Sequence, residues 1–182
     1  PKMKTIKRTA LLDQLESEVE SHLQSAISVF QNVSDTLLQQ QSAQNGWSIA
    51  QCLWHINSYG HYYLPAIAHA MKPDAASRDT FTSSWLGAYF TRLMKPGEGM
   101  KKMKAFKDHT PPLQPDGRAE VAEFIRQQEV LLGLLRQARQ VDLTRTKVAI
   151  SLSRWIKLRL GDVFQFYVAH QGRHVAQAMR NV

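Results

Sequence analysis

Cysteine is almost absent from this chain. Its 182 residues include a single cysteine, Cys52, which excludes an internal disulfide and is consistent with a reducing compartment. Apolar runs of about 20 residues, the length that a membrane-spanning helix needs, are also lacking. The first thirty residues contain no apolar core of a signal peptide. The sequence therefore predicts a cytoplasmic protein that is not inserted in a membrane.

Acidic side chains are missing from the C-terminal end of the chain. No aspartate or glutamate follows Asp162, although two histidines four residues apart, His170 and His174, lie in this stretch. Residues 171–173 between them include no glutamate. The His-Glu-x-x-His pattern of zinc proteases, in which the glutamate is the general base, is therefore excluded.

Positive charge is in excess, with a formal net charge of +8. The basic residues form two clusters: Lys95, Lys101, Lys102, Lys104 and Lys107, and then Arg154, Lys157 and Arg159. Apart from Phe106 and Trp155, these clusters lack the interleaved aromatic side chains of a nucleic-acid stacking platform. The pattern favours solvated loop charge, or anion recognition near the mouth of a site, over nucleic-acid binding.

Length and composition are typical of one soluble globular domain, here residues 1–182. Apolar residues make up 43% of the chain, and charged residues 21%. Apolar positions recur at three- and four-residue steps in the long segments 9–40, 48–71, 116–139 and 161–179, and a shorter helix is predicted at 84–94. The sequence predicts an all-α four-helix bundle, a fold that builds metal sites from side chains on facing helices.

Several local signals refine this prediction. Ser48 and Gln51 match a capping box that opens the second long helix, Trp47 is placed to pack onto its first turn, and Pro65 predicts a kink or break within it. The dipeptide at residues 45–46, Asn-Gly, is a turn signal. The Pro- and Gly-rich stretch 95–115 predicts a long irregular cross-connection, which in a compact domain usually has a function. The alternation over residues 156–160 predicts an extended segment.

Three histidines form the most informative pattern. In a helix, His170 and His174 lie on one face, one turn apart, and a third ligand can come from His55 on a facing helix. Three protein nitrogens leave a coordination position open, which is typical of a catalytic metal site. Such pairs also arise by chance in helices, so the spacing alone leaves core histidines as the alternative.

Other side chains near His55 are candidate pocket residues. Cys52 lies one helical turn before it, and Tyr59 and Tyr62 lie one and two turns after it. For each of these three, burial in the core is the alternative interpretation. His61 should face elsewhere, because it lies some 240° around the helix at about 100° per residue. The remaining histidines, which have no partner spacing, are interpreted as surface or incidental residues: His22, His69 and His109.

The segments that contain the histidines resemble the DinB/YfiT-like superfamily. Residues 47–55, WSIAQCLWH, are similar to the opening of its second helix. Residues 160–164, LGDVF, followed by 170–174, HQGRH, are similar to its last helix. Residues 103–106, MKAF, resemble a middle segment in one branch of the family. The resemblance covers most of the chain, and the two histidine segments in this order are more specific than either alone.

The resemblance implies an up-down-down-up bundle in which a divalent metal, usually zinc or nickel, is held by His55, His170 and His174. Family members with known activity include transferases and isomerases that use a low-molecular-weight thiol. The implied function is Lewis-acid activation of a thiol or water that acts on a small molecule, as in an S-transferase or hydrolase. The alternative is a non-catalytic bundle for binding or assembly, with a vestigial or structural metal site. An exposed apolar helix face would indicate a homodimer.

Two residues depart from what the resemblance implies. Gly172 lies inside the histidine pair, where it costs a helix about 1 kcal/mol relative to alanine. Pro65 follows His55 in the same predicted helix. Neither removes a ligand, but both bear on the shape of the pocket.

Overall fold

The structure is a computed structural model that describes residues 3, 5–43, 46–95 and 104–182. The helices in this part of the chain are α1 (Arg8–Ser25), α2 (Asp35–Gln39), α3 (Ile49–Ala70), α4 (Trp85–Met94), α5 (Gly117–Gln137) and α6 (Leu160–Met179). Four of them are long: α1, α3, α5 and α6. The protein is mostly helical, and the four long helices that the sequence predicts are present.

The first predicted helix, residues 9–40, is interrupted, and this prediction was wrong in its length. α1 passes into a π-helical turn at Ala26–Phe30, and α2 begins separately at Asp35. The side-chain amide of Asn32 donates to the carbonyls of Ile27 and Ser28 and closes the turn. Ser34 then accepts a hydrogen bond from the backbone of Leu37 and caps α2. These local bonds override the apolar periodicity.

α3 begins at its predicted cap and is continuous to Ala70. The predicted capping box is present: Gln51 N donates to Ser48 Oγ at 3.2 Å, and Ser48 N donates to Gln51 Oε1 at 3.0 Å. Of the predicted kink or break at Pro65, the break does not occur, because the helix extends through this exposed residue. The predicted cap of α5 is also present, since Asp116 accepts from the backbone of Ala119.

Two small antiparallel sheets accompany the helices. β1 (Thr5–Lys7) pairs with β2 (Thr80–Thr82), and β3 (Lys147–Ile150) pairs with β4 (Ser153–Arg159). β4 contains most of the predicted extended segment, residues 156–160. The all-α prediction is therefore correct for the bundle and incomplete for its edges.

The packing of the long helices brings the histidine segments together. Each of α1 and α3 packs against both α5 and α6. His55, near the start of α3, lies against His170 in the second half of α6, whereas Tyr63, further along α3, lies against Phe166 in the first half of α6. α3 and α6 therefore run in opposite directions.

The apolar core consists of two clusters. The first includes Leu12, Val19, Tyr63, Leu135 and Phe164. The second includes Ala26, Phe30, Cys52, Leu53, Ile56, Phe124 and Val175. Leu53 and Ile56 flank His55 in sequence, and Val175 follows His174. The second cluster therefore fixes the backbone on both sides of the histidine group.

The cross-connection between α4 and α5 is described from Lys104 onward. From Lys104 to Asp116 it contains a short 3-10 turn, Lys107–His109, and is otherwise irregular, as predicted. Lys101 and Lys102 of the first basic cluster, Met103 of the family-like segment and Asn45 of the predicted turn lie outside the described residues.

None of the helices in the described part of the chain combines the length and the apolar character that crossing a bilayer requires.

Candidate metal centre

His55, His170 and His174 meet at the interface between α3 and α6. Their side chains are buried, with exposed fractions of 4%, 6% and 8%. One ring nitrogen from each lies within 4.8 Å of one from each of the others. The structure thus brings together the three histidines that the sequence singles out, as a donor set that could hold one metal ion.

The two nitrogens of His55 have different surroundings. Nδ1 lies 2.6 Å from the backbone carbonyl oxygen of His109. A carbonyl oxygen only accepts, so Nδ1 is the N–H donor, and in the neutral ring Nε2 has the free lone pair. That Nε2 lies 3.2 Å from Nε2 of His170. In a tetrahedral zinc site with Zn–N distances of about 2.0–2.1 Å, neighbouring nitrogens are roughly 3.3 Å apart, so this pair fits a shared ion.

His174 is oriented in the same way as His55. Its Nδ1 lies 2.9 Å from Oε1 of Gln177, one turn further along α6. An amide oxygen is an acceptor, so Nδ1 of His174 donates and Nε2 is left available to a ligand. A hydrogen bond from the outer nitrogen to a fixed acceptor is the usual support of a metal-binding histidine.

The surroundings of the three rings keep them neutral. Burial lowers the pKa of His55 to about 4, although the bond to the His109 carbonyl acts in the opposite direction. Burial, and after it the proximity of His55, lowers the pKa of His174 to about 3. The pKa of His170 lies well below its ordinary value, first because of burial and then because of the other two histidines. Neutral imidazoles at pH 7 are the form that binds metals.

Aromatic rings enclose the group on two sides. Trp47, half-buried, lies with its ring centroid 4.8 Å from that of His55 and stacks on His174 at 5.8 Å. Tyr59 meets His55 and His170 edge-on, at 5.2 and 4.7 Å. The sequence singled out Tyr59 as a pocket residue. It identified Trp47 only as a residue that packs at the start of α3.

The other two candidate pocket residues lie in the core or at its edge. Tyr62 donates a hydrogen bond to the carbonyl of Ala149 on β3 and packs against the first core cluster. Cys52 is fully buried in the second cluster, and burial raises the pKa of its thiol to about 12. Among the described residues, the group that could hold a metal consists of the three histidines.

His109 is the residue near the site that the sequence misjudged. It was interpreted as a surface residue, but its carbonyl contacts His55 and its ring stacks on Tyr59 at 3.7 Å. It lies in an irregular segment, so no periodic spacing linked it to the other histidines. The one available signal was the length of the cross-connection. His61 does face elsewhere, beside Glu123 on α5, as predicted.

The fold and the site together define a mostly helical bundle protein with three buried histidines that could hold a metal ion. The DinB superfamily matches residues 18–178, which is most of the chain, and the chain belongs to that superfamily. This confirms the resemblance drawn from residues 47–55 and 160–174.

A solved structure is also similar. It is described as "YfiT from Bacillus subtilis is a probable metal-dependent hydrolase with an unusual four-helix bundle topology". The similarity covers 96% of this chain and 85% of that chain, at 15% sequence identity and a TM-score of 0.49. No curated protein matches the chain.

Proposed function

We propose that His55, His170 and His174 hold a divalent metal ion, zinc or nickel, in an enzyme that acts on a small molecule. One observation carries the proposal: Nε2 of His55 and Nε2 of His170 lie 3.2 Å apart while Nδ1 of His55 donates elsewhere. A proton on Nε2 of His170 can bridge the two nitrogens as a hydrogen bond, and when that proton is released both lone pairs face one point that a cation can occupy. The family membership and the opposed directions of α3 and α6 support an up-down-down-up order of the bundle.

The donor set favours a catalytic role over a structural one. Structural zinc sites are closed by four protein ligands, whereas three leave a position for a substrate or nucleophile. Three neutral imidazoles leave the charge of the ion uncompensated by protein. When bound, the ion would supply Lewis-acid activation of a water or a thiol.

The chain's own residues would orient the ligands and limit the access of water. The carbonyl of His109 and the amide of Gln177 fix the rings of His55 and His174. Trp47 and Tyr59 cover the group with apolar surface. The hydrolase and S-transferase versions differ in the nucleophile, which is water in one and a low-molecular-weight thiol in the other. A cytoplasmic location and a homodimer stay predictions from the sequence.

The test is metal content by elemental mass spectrometry on tag-free protein purified without chelator. Wild type should contain about one zinc or nickel per chain, and His55→Ala should contain none. His69→Ala is the matched control, because His69 is an exposed histidine on the same helix, and it should keep the metal. Full metal content in His55→Ala, or none in wild type after reconstitution, would contradict the proposal. The latter result would favour the non-catalytic alternative.

A further inference from the structure

The cross-connection is attached to the first half of α3, beside the histidine group. Gln51 Nε2 donates to the carbonyl of Pro112 at 3.0 Å, and one turn further along, His55 Nδ1 donates to the carbonyl of His109 at 2.6 Å. An irregular segment therefore supplies the acceptor that fixes the tautomer of His55. The 3-10 turn Lys107–His109 has its own backbone hydrogen bonds, from His109 N to Phe106 O and from Thr110 N to Lys107 O, but these do not join it to α3. Contacts with α3 must therefore hold the carbonyl of His109 against His55.

The side chain of His109 is held on two sides. Its ring lies parallel to that of Tyr59, with centroids 3.7 Å apart and an interplanar angle of 14°. Its Nδ1 lies 2.7 Å from Ser58 Oγ, and that hydroxyl donates its one hydrogen to the carbonyl of His55 at 2.6 Å. Ser58 therefore accepts from His109. Ser58 and Tyr59 lie one turn after His55 on α3. They therefore attach the cross-connection to the same helix that carries His55.

We propose that His109 is a positioning residue for the metal centre: its side chain, clamped by Tyr59 and Ser58, fixes its own carbonyl on Nδ1 of His55. This inference rests on the proposed function. An acceptor held there keeps the ring of His55 in one orientation and makes Nε2 a stronger donor to the ion. The site would then take its three ligands from two helices, and the group that orients His55 from a loop.

The location of His109 argues against a merely structural role. Its side chain is half-buried, and its contacts are with Ser58 and Tyr59, beside the histidine group. Phe106, three residues earlier on the same segment, is 51% exposed and serves as a matched control for changes in this loop. Loss of the His109 side chain should therefore leave the bundle folded while freeing the carbonyl.

The test uses the full chain, freed of metal by chelator, and titrates it with Co²⁺ alone while recording the visible absorption of the bound ion. The variants are His109→Ala, Ser58→Ala, the conservative Ser58→Thr and the control Phe106→Ala. His109→Ala should weaken Co²⁺ binding about 10- to 100-fold and change the absorption bands, because the ring of His55 is no longer held in one orientation. Ser58→Ala should weaken binding less, whereas Ser58→Thr and Phe106→Ala should match wild type.

The outcomes separate this inference from the proposed function. Far-UV circular dichroism and the melting temperature of the metal-free variants should be unchanged, so an effect on Co²⁺ binding alone supports the inference. If His109→Ala does not fold, the contrast between Ser58→Ala and Ser58→Thr gives the same test. Equal Co²⁺ affinity and equal spectra in wild type and all variants would overturn the role of His109 and leave the metal site intact. A wild type that binds no Co²⁺ would overturn both.

Discussion

The first turn of α6, here called the Asp162 end, and its second half, the histidine end, bury polar groups in opposite ways. At the start, Asp162 is fully buried, and its Oδ2 accepts from the backbone N–H of Ser84 at 2.9 Å and from the hydroxyl of Ser84 at 2.7 Å. Its Oδ1 has no hydrogen-bond partner among the described residues, but it lies in the first helical turn, where the helix dipole favours a negative charge. In the second half of α6, His170 and His174 each place a ring nitrogen within 4.8 Å of a ring nitrogen of His55.

The difference teaches how to distinguish a structural polar group from a binding site. The fold supplies donors to Asp162, and in return Asp162 joins the start of α6 to the cap of α4. At the histidine end, the fold supplies acceptors to Nδ1 of His55 and Nδ1 of His174, so Nε2 of each of these rings has a lone pair available to the group. A proton on His170 can satisfy Nε2 of His55, and a bound cation can replace that proton and accept from several rings at once.

The largest expected effect is on metal binding at the histidine end. His170→Ala removes one of three ligands, so stoichiometric metal should be lost entirely, as measured by elemental mass spectrometry. The removed ring is buried and leaves a cavity, so the metal-free variant should melt lower than metal-free wild type, and metal is therefore counted per folded chain. Asp162→Ala in the same experiment should keep about one metal per folded chain. Metal loss in Asp162→Ala alone would reverse the assignment of the two ends.

The next effect is on stability at the Asp162 end. Asp162→Ala should lower the free energy of unfolding by about 1–3 kcal/mol, because it leaves the buried donors of Ser84 without an acceptor. Chemical denaturation of metal-free protein is the measurement. Asp162→Asn is the control, since its amide oxygen still accepts, and it should lose less. Equal stability of all three proteins would show that this bond does not stabilise the start of α6.

A glycine at each end of α6 gives a matched pair of smaller changes. A Cβ on Gly161 would lie 2.6 Å from ring atoms of Phe81, whereas one on Gly172 would lie 3.2 Å from Nε2 of His22, a half-buried side chain. Gly161→Ala should therefore destabilise the protein by about 1–3 kcal/mol through overpacking. Gly172→Ala should cost less, because the gain in helix propensity of about 1 kcal/mol offsets the contact.

Gly133 calibrates that comparison. A Cβ at this position in α5 meets nothing within 4 Å. Gly133→Ala should therefore show the gain in helix propensity alone, in the same denaturation experiment. A Gly161→Ala variant as stable as Gly133→Ala would mean that the start of α6 is packed less tightly than the structure has it.

A further expected effect is a pH dependence of the metal-free protein. Burial lowers the pKa of His55 from an ordinary 6.5 to about 4, so the unfolded state binds more protons than the folded state between these values. The free energy of unfolding should therefore fall as the pH is lowered from 7 toward 4. His55→Ala should show a shallower decline, whereas His69→Ala should match wild type. Parallel curves for all three proteins would contradict the assigned burial of His55.

Local chemistry made much of the fold predictable. The capping box of Ser48 and Gln51, the cap at Asp116 and the apolar periodicity fixed the four long helices, and the spacing of His170 and His174 placed both on one face. The break after α1 was missed, because it depends on side-chain bonds of Asn32 and Ser34 that compete with a periodic apolar pattern.

The surroundings of the site were less predictable than its ligands. The three candidate ligand histidines lie on helices, where spacing in sequence determines direction in space. Trp47 and His109 reach the site through irregular backbone, where no such relation exists. Gln177 is on α6, one turn after His174, and could have been anticipated from helical spacing. The contact between His55 and the histidines of α6 depends on the antiparallel packing of α3 and α6, which tertiary structure decides.

The central claim is that three histidines from two antiparallel helices share one ion. The most direct test is a crystal structure of the native, tag-free protein, with anomalous data on both sides of the zinc and nickel edges. The account predicts one anomalous peak at about 2.0–2.1 Å from a ring nitrogen of each of His55, His170 and His174. A structure from metal-replete protein with no peak between these rings, or with the ion bound elsewhere, would contradict it.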